Sequence, residues 1–238
     1  VYRGLRVCLI APVLNEEQKI GEVVRRAPRD VVDEVLVVDD GSTDRSAEVA
    51  RARGAAVLPM GRTVGVGAAL RAGFQWARVR GFDVIVVIAG NTKDAPEEIP
   101  RLLEAIADGA DFVQGSRFLQ GGATGGMPLY RRLATRVHPV LFSLAARKRV
   151  SESTNGFRAF RTRLLEDRRI DLDQAWLDEY ELEPYLYWKV IRLGYRTVEV
   201  AVTKIYPPKS LGYTKMAPVT GWWSILRPVI LLGLGLRK

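Results

Sequence analysis

Short apolar runs alternate with amphipathic segments through the first half of the chain. No other feature of the sequence restricts the fold as strongly. The apolar runs fall at 6–11, 34–39, 55–59, 83–88 and 110–115, with helical patterns between them at 16–27, 43–53, 66–80 and 96–107. Strand and helix alternating in this way predict an α/β fold, a largely parallel sheet flanked by helices. Val84 to Ile88 is apolar without interruption, as expected of a strand covered on both faces. Asn15 with Gln18 and Asp94 with Glu97 have capping-box spacing, and Ser42 or Thr43 is placed to cap the second helix.

The second half is less regular. Gly121, Gly122, Gly125 and Gly126 form a glycine-rich loop ahead of a basic helical stretch at 129–148. A short strand at 156–161 follows, then the acidic run "WLDEYELEP", a helix reaching Ile191 and a strand at 197–202. The stretch "IYPPKSLGYTKMAPVTGWW" has the Pro and Gly punctuation of a loop folded over a site. Nothing resembles an interdomain linker, so the 238 residues are expected to form one domain over 1–216, followed by an amphipathic tail at 217–238. That tail either packs on the domain or lies in a membrane interface.

One cysteine excludes an internal disulfide, and Cys8, inside the first apolar run, is expected to be a packed core thiol. A single histidine, His138, excludes a multi-histidine metal site and is expected to be packed. No apolar run reaches the ~18 residues of a membrane span, and no signal peptide is visible, so the expected location is cytoplasmic, with the membrane's cytoplasmic face as the alternative. The net charge of +9 suits either a basic solvated surface or an anionic partner. Lys204, Lys209 and Lys215 stand among Tyr206, Tyr213, Trp222 and Trp223, but no repeated basic-aromatic platform appears, and nucleic acid is not expected as a partner.

Ligands of open α/β sheets bind beyond the carboxyl ends of the strands. Three such loops carry unusual residues: "PVLNE" after the first run, "DDGS" after the second and "AGNTK" after the fourth. Carboxylates at the second loop suit ribose hydroxyls or base N–H groups. Arg117, after the fifth run, and Arg131 with Arg132 supply guanidinium forks that suit phosphate oxygens. Gly65 and Gly67 follow the third run rather than the first, so they are expected to permit close helix packing, not dinucleotide binding.

Taken in order, "APVLNEE", "VLVVDDGSTDRSAEVA", "GVGAALRAGF", "GSRF" and "STNGFRAF" resemble the motifs of family 2 glycosyltransferases, and most closely those of dolichyl- and polyprenyl-phosphate mannose synthases. The resemblance implies a GT-A fold and transfer of a hexose, mannose or glucose, from a GDP- or UDP-sugar, usually with inversion. The implied acceptor is a polyprenyl or dolichyl phosphate, with a glycan hydroxyl as the alternative, and a nucleotide-sugar binder without turnover as the rival outside enzymes. Carried onto this chain, it assigns Pro12, Leu14, Glu16, Val38 and Asp40 to base and ribose, and Gly90 and Asn91 to the donor. It assigns Arg117, Arg131 and Thr135 to the phosphates, and Lys215 to a place near the diphosphate. The family's acceptor-side carboxylate falls among Asp178, Glu179, Glu181 and Glu183.

The family's usual Asp-x-Asp, which binds Mg²⁺ or Mn²⁺, is replaced here by Ala89-Gly90-Asn91. Two expectations follow. Either Lys93 supplies part of the ion's charge, helped by Arg117 and Lys215, and transfer is metal-independent, or Asp40, Asn91 and Asp94 still hold a weakly bound ion. The first is favoured, since Asp94 has a competing role as a helix cap.

Overall fold

The computed structural model describes residues 1–207 and 220–237. Its frame runs β1 (Val7–Val13), α1 (Glu17–Arg26), β2 (Glu34–Asp39), α2 (Ser46–Ala52), β3 (Ala56–Pro59), α3 (Val66–Val79), β4 (Val84–Val87), α4 (Ile99–Ala107) and β5 (Phe112–Ser116). Next come β6 (Ala123–Gly125), α5 (Leu129–Ala146), β7 (Arg158–Arg161), α6 (Leu182–Arg192), β8 (Thr197–Ala201), β9 (Thr203–Ile205) and α7 (Thr220–Gly233). Seven strands form one sheet in the order β3-β2-β1-β4-β7-β5-β8, and only β7 runs antiparallel to its neighbours.

The two-residue period of the strands sorts their side chains into two cores. Val7, Leu9, Ala11 and Val13 pack with Ile20, Val23 and Val24 of α1 and with Leu102, Leu103 and Ile106 of α4. Cys8 and Ile10 point the other way, toward Leu70 and Phe74 of α3, Phe142 of α5 and Tyr187 of α6. Cys8 is thus a core thiol, and burial pushes its pKa up. α7 joins this second core through Val229 and Leu232, while the 216/217 boundary expected from sequence lies outside the described residues.

The helix starts differ from the capping expectation. Asn15 adopts a left-handed backbone (φ 52°) and gives α1 no side-chain cap. Its Oδ1 instead accepts the Thr43 N–H at 2.7 Å, and Ser42 Oγ accepts the Asn15 N–H at 2.9 Å. These bonds tie the loops after β1 and β2 together, which fixes one wall of the cleft below. Asp94 also caps nothing, because its carboxylate is taken by a lysine from β9. β9 pairs with β6 as a separate two-stranded parallel ribbon that the sequence pattern did not reveal.

Candidate active site

The carboxyl ends of β1, β2 and β4 open onto a cleft of about 730 Å³. One end is made by Pro12, Leu14, Glu16 and Asp40, with Gly65 opposite. Asp40 accepts the Val64 N–H at 2.8 Å and the Gly65 N–H at 3.2 Å, so it also anchors the entry to α3. Asp39 closes the turn by accepting the Ser42 N–H at 2.9 Å. Both adjacent carboxylates therefore have local backbone partners, and Asp40 alone of the two lines the cleft. Gly67 packs backbone to backbone: a Cβ there would lie 2.0 Å from the Leu177 carbonyl oxygen, which explains the glycine as a packing residue.

The loop after β4 forms the middle of the cleft. Gly90 lies so close to β1 that a Cβ would stand 2.4 Å from Val13 Cγ1. Thr92 is held at φ 61°, an uncommon and strained conformation for a β-branched residue. The chain is fixed beyond it by the Ile205 N–H donating to the Lys93 carbonyl at 2.8 Å, and by a bridge between Asp94 and Lys204. Lys204 Nζ donates to Asp94 Oδ1 at 2.5 Å and to Asn155 Oδ1 at 2.9 Å. Lys93, 8 % exposed, lines the cleft beside them, with Nζ 5.0 Å from the Tyr206 ring centroid. Among the described residues it forms no ion pair. Burial, followed by the charges of Lys204 and Arg131, lowers its pKa to about 7.

At the far end, Arg117 Nε donates to Glu152 Oε2 at 2.6 Å, and its second arm donates to Thr154 Oγ1 at 2.8 Å. Burial opposes the guanidinium charge, but Glu152 outweighs it and raises the pKa of Arg117. Glu152 Oε1 accepts the backbone N–H groups of Ser153 and Thr154, so the carboxylate is held on both oxygens. α5 contributes Arg131 and Thr135 to the same end, and the Thr135 hydroxyl donates to the Arg131 carbonyl at 2.8 Å.

Three of the four acidic candidates line the cleft. Asp178 turns away to Arg71 at 2.5 Å, Glu181 pairs with Arg227 at 2.7 Å, and Glu183 pairs with Arg158 at 3.1 Å. Glu179 makes no ion pair among the described residues. Burial, then Asp40 and Asp178, raises its pKa.

The structure thus brings Pro12, Leu14, Glu16, Asp40, Gly90, Asn91, Lys93, Arg117, Arg131 and Thr135 to one cleft. The Val38 side chain does not line the cleft: it is fully buried against α3, with Ile10, and supports the strand end from beneath. Lys215 lies outside the described residues, as does most of the expected lid loop. His138 is 1 % exposed and bonded through Nδ1 to Ser153 Oγ at 2.7 Å, a packed histidine. Sequence reasoning missed Glu152 and Asn155, and named Lys204 only within a basic-aromatic cluster. "STNG" carried the signal for Asn155, but nothing local marked Lys204 as a partner of Asp94.

The donor set does not fit a divalent cation. Ala89 offers no ligand and Asn91 only a neutral carboxamide, poorer than carboxylate for a hard ion. Asp94 is only 2 % exposed; its Oδ1 is engaged by the Lys204 ammonium and its Oδ2 by the Ala89 N–H at 3.3 Å. No group of three His, Cys, Asp or Glu side chains suited to a metal occurs among the described residues.

Similar proteins agree with this architecture. The chain is 36% identical over 220 residues to the undecaprenyl-phosphate mannosyltransferase of Micrococcus luteus, covering 90% of this chain and 88% of that one. It is 34% identical over 219 residues to the polyprenol monophosphomannose synthase of Mycolicibacterium smegmatis, covering 89% and 81%. Its fold is similar to that of glucosyl-3-phosphoglycerate synthase from Mycobacterium tuberculosis (TM-score 0.71, 23% identity, 98% of this chain and 81% of that one). The Glycosyl transferase family 2 profile matches residues 8–169, which takes in β1 to β7 and every loop of the cleft described above except those contributed by the acidic run, β9 and α7. With GT-A neighbours in structure and family 2 relatives over nearly its whole length, the chain belongs to glycosyl transferase family 2.

Proposed function

We propose that this transferase moves a hexose, mannose or glucose, from a GDP- or UDP-sugar to a polyprenyl phosphate at a membrane surface. The observation that carries the acceptor assignment is the inversion of α5. Its inward face sends Arg131 and Thr135 into the cleft, while Leu133, Val137, Val140 and Leu144 are 66%, 47%, 59% and 72% exposed. A helix that offers a guanidinium and a hydroxyl inward and an apolar face outward suits an acceptor with a phosphate head and a hydrocarbon tail. The named activities of the mannosyltransferase relatives support the same reading.

In this reading Pro12, Leu14, Glu16 and Asp40 hold the nucleoside, and Gly90, Asn91 and Lys93 face the diphosphate. Lys215, outside the described residues, is assigned beside it. Arg117 and Arg131, with Thr135, hold the acceptor phosphate. An oxygen of that phosphate attacks the anomeric carbon as the bond to the donor diphosphate breaks, and the electron pair leaves with the nucleoside diphosphate. A single displacement of this kind inverts the anomeric centre. The acceptor phosphate is already anionic at neutral pH, so no general base is needed. Glu179 favours a second reading, a glycan hydroxyl as acceptor, because it lines the cleft with no ion pair among the described residues, whereas Asp40, also unpaired by a cation there, already accepts the Val64 and Gly65 N–H groups.

Incubation with labelled GDP-mannose or UDP-glucose and vesicles carrying polyprenyl phosphate tests this. The expected result is label in the organic phase as a polyprenyl phosphohexose. Transfer only to water-soluble hydroxyl acceptors would favour the second reading. No transfer to either would refute both.

A further inference from the structure

The loop after β4 stands between the two ends of the cleft. In the sheet order β2 and β1 come first, then β4, then β7 and β5. The loops of β1 and β2 form the end assigned to the nucleoside. Arg117 after β5 and Arg131 on α5 form the end assigned to the acceptor. A diphosphate joining these ends therefore lies against the β4 loop, where an Asp-x-Asp chain would present an ion and this chain presents lysines.

We propose that this chain binds the diphosphate of its donor without a divalent cation, with the ammonium groups of Lys93 and Lys204 taking the ion's place. The inference rests on the nucleotide-sugar reading of the cleft and adds how that site neutralises its ligand.

Three observations carry it. First, the oxygens an ion would need are absent or engaged: Ala89 has none, and Asp94 Oδ1 is in contact with Lys204 Nζ at 2.5 Å. An ion at Asp94 would have to displace that ammonium or stand against it. Second, the Asp94 carboxylate is taken by Lys204, and Lys93 beside it forms no ion pair among the described residues. Lys93 and Lys204 are 8% and 7% exposed, and both line the cleft. Removing an ammonium group from water without a counter-ion is costly, so a surplus of buried positive charge facing an open cleft marks a place for an anion. Third, the position of both lysines is enforced by backbone. The Ile205–Lys93 hydrogen bond at 2.8 Å and the Asp94–Lys204 bridge lock the β4 loop to β9, and the strained Thr92 at φ 61° is retained between them. Donors fixed before the ligand arrives need no reorganisation when charge develops on the leaving diphosphate.

Asp94 is then a positioning residue that holds Lys204, with Asn155 Oδ1 as second acceptor at 2.9 Å. Its carboxylate holds the Lys204 ammonium at the cleft lining.

The test is calorimetric titration of the full chain with GDP and with UDP, in excess EDTA and again in Mg²⁺ and in Mn²⁺. The expected result is that the nucleotide which binds does so with affinities within about twofold under all three conditions. Lys93→Met should weaken it at least tenfold in EDTA and in metal alike. Lys204→Met combined with Asp94→Asn removes the ion pair without leaving a buried carboxylate unpaired, and should weaken binding similarly while circular dichroism stays unchanged. Binding that appears only with Mg²⁺ or Mn²⁺ would overturn the inference and leave the nucleotide-sugar reading intact. Absence of binding under every condition would overturn both.

Discussion

Lys204 places its ammonium group 2.5 Å from the Asp94 carboxylate, across a sequence separation of 110 residues and with side-chain exposures of 9% and 0%. A pair at this depth gains little over an apolar pair of the same shape, but breaking it strands a charge. Asp94→Asn should therefore destabilise the chain by about 3 kcal/mol, and the double variant with Lys204→Met by clearly less. Urea denaturation of the two variants against the parent measures the difference.

Lys93 gives a pH dependence with a definite sign. Its pKa is about 7 in the folded chain, held down by burial and then by Lys204 and Arg131, against an ordinary 10.5. Between those values the unfolded chain binds the extra proton, so this group makes the free protein more stable as pH rises through that window. Ligand binding runs the other way. A diphosphate favours the charged ammonium, so binding above neutral pH takes up a proton and weakens as pH rises. Titrations near pH 8 in buffers of different ionisation enthalpy should show that uptake, and Lys93→Met should abolish it.

Arg117 depends on Glu152 in the same way that Lys204 depends on Asp94. Both side chains are buried, at 1% and 0% exposed, and their contact is 2.6 Å. Glu152→Gln keeps the shape but removes the charge, leaving a buried guanidinium facing a carboxamide. The expected loss is about 3 kcal/mol of stability, with a higher KM for the phosphate acceptor and little change in nucleotide affinity. Thermal unfolding and acceptor titrations separate the two effects.

The sheet and the nucleoside end of the cleft were legible in the sequence because their signals are local. Val84 to Val87 is apolar over its whole length and is buried on both faces. The loops after β1 and β2 carry Pro12, Leu14, Glu16 and Asp40 within a few residues of a strand end. What remained hidden is non-local. The 156–161 run reads as a strand in either direction, and its antiparallel place between β4 and β5 depends on pairing with residues about 45 to 80 positions away. Asp94 has the spacing of a helix cap, but a lysine over a hundred residues later outcompetes the local backbone. Asn15 is diverted similarly, by Thr43 from the adjacent loop.

Gly67 marks where α3 and the acidic run meet. A methyl group there would stand 2.0 Å from the Leu177 carbonyl oxygen and 2.5 Å from that of Glu179, and both are backbone atoms. Neither can swing aside as a side-chain tip would. Gly67→Ala should cost about 2 kcal/mol through forced separation of these segments, and should lower nucleotide affinity because Glu179 and Gly65 shift with them. Denaturation and calorimetry on the one variant check both.

The outward face of α5 yields the last prediction. Leu133, Val137, Val140 and Leu144 recur at spacings of four, three and four, so they share one face of the helix, and Arg132 and Arg136 flank them in solvent. Among the described residues no helix is long and apolar enough to cross a membrane, so contact with lipid would be made by such a face lying in the interface. Trp223 and Ile230 of α7, 53% and 42% exposed, present further apolar surface on a helix packed against α5. Changing the four α5 residues to Ser alters exposed positions, so folding stability should move by no more than about 0.5 kcal/mol per site. Cosedimentation with anionic vesicles should fall on the order of 1,000-fold, since each of the four side chains loses roughly 1 kcal/mol of burial in the interface. Arg132→Gln with Arg136→Gln should weaken the same binding less, and only at low salt, as expected for exposed charges near an anionic surface. Nucleotide affinity should be unchanged in both variants, because Arg131 and Thr135 occupy the opposite face. If the Ser variant still bound vesicles like the parent, α5 would not be the surface that meets lipid.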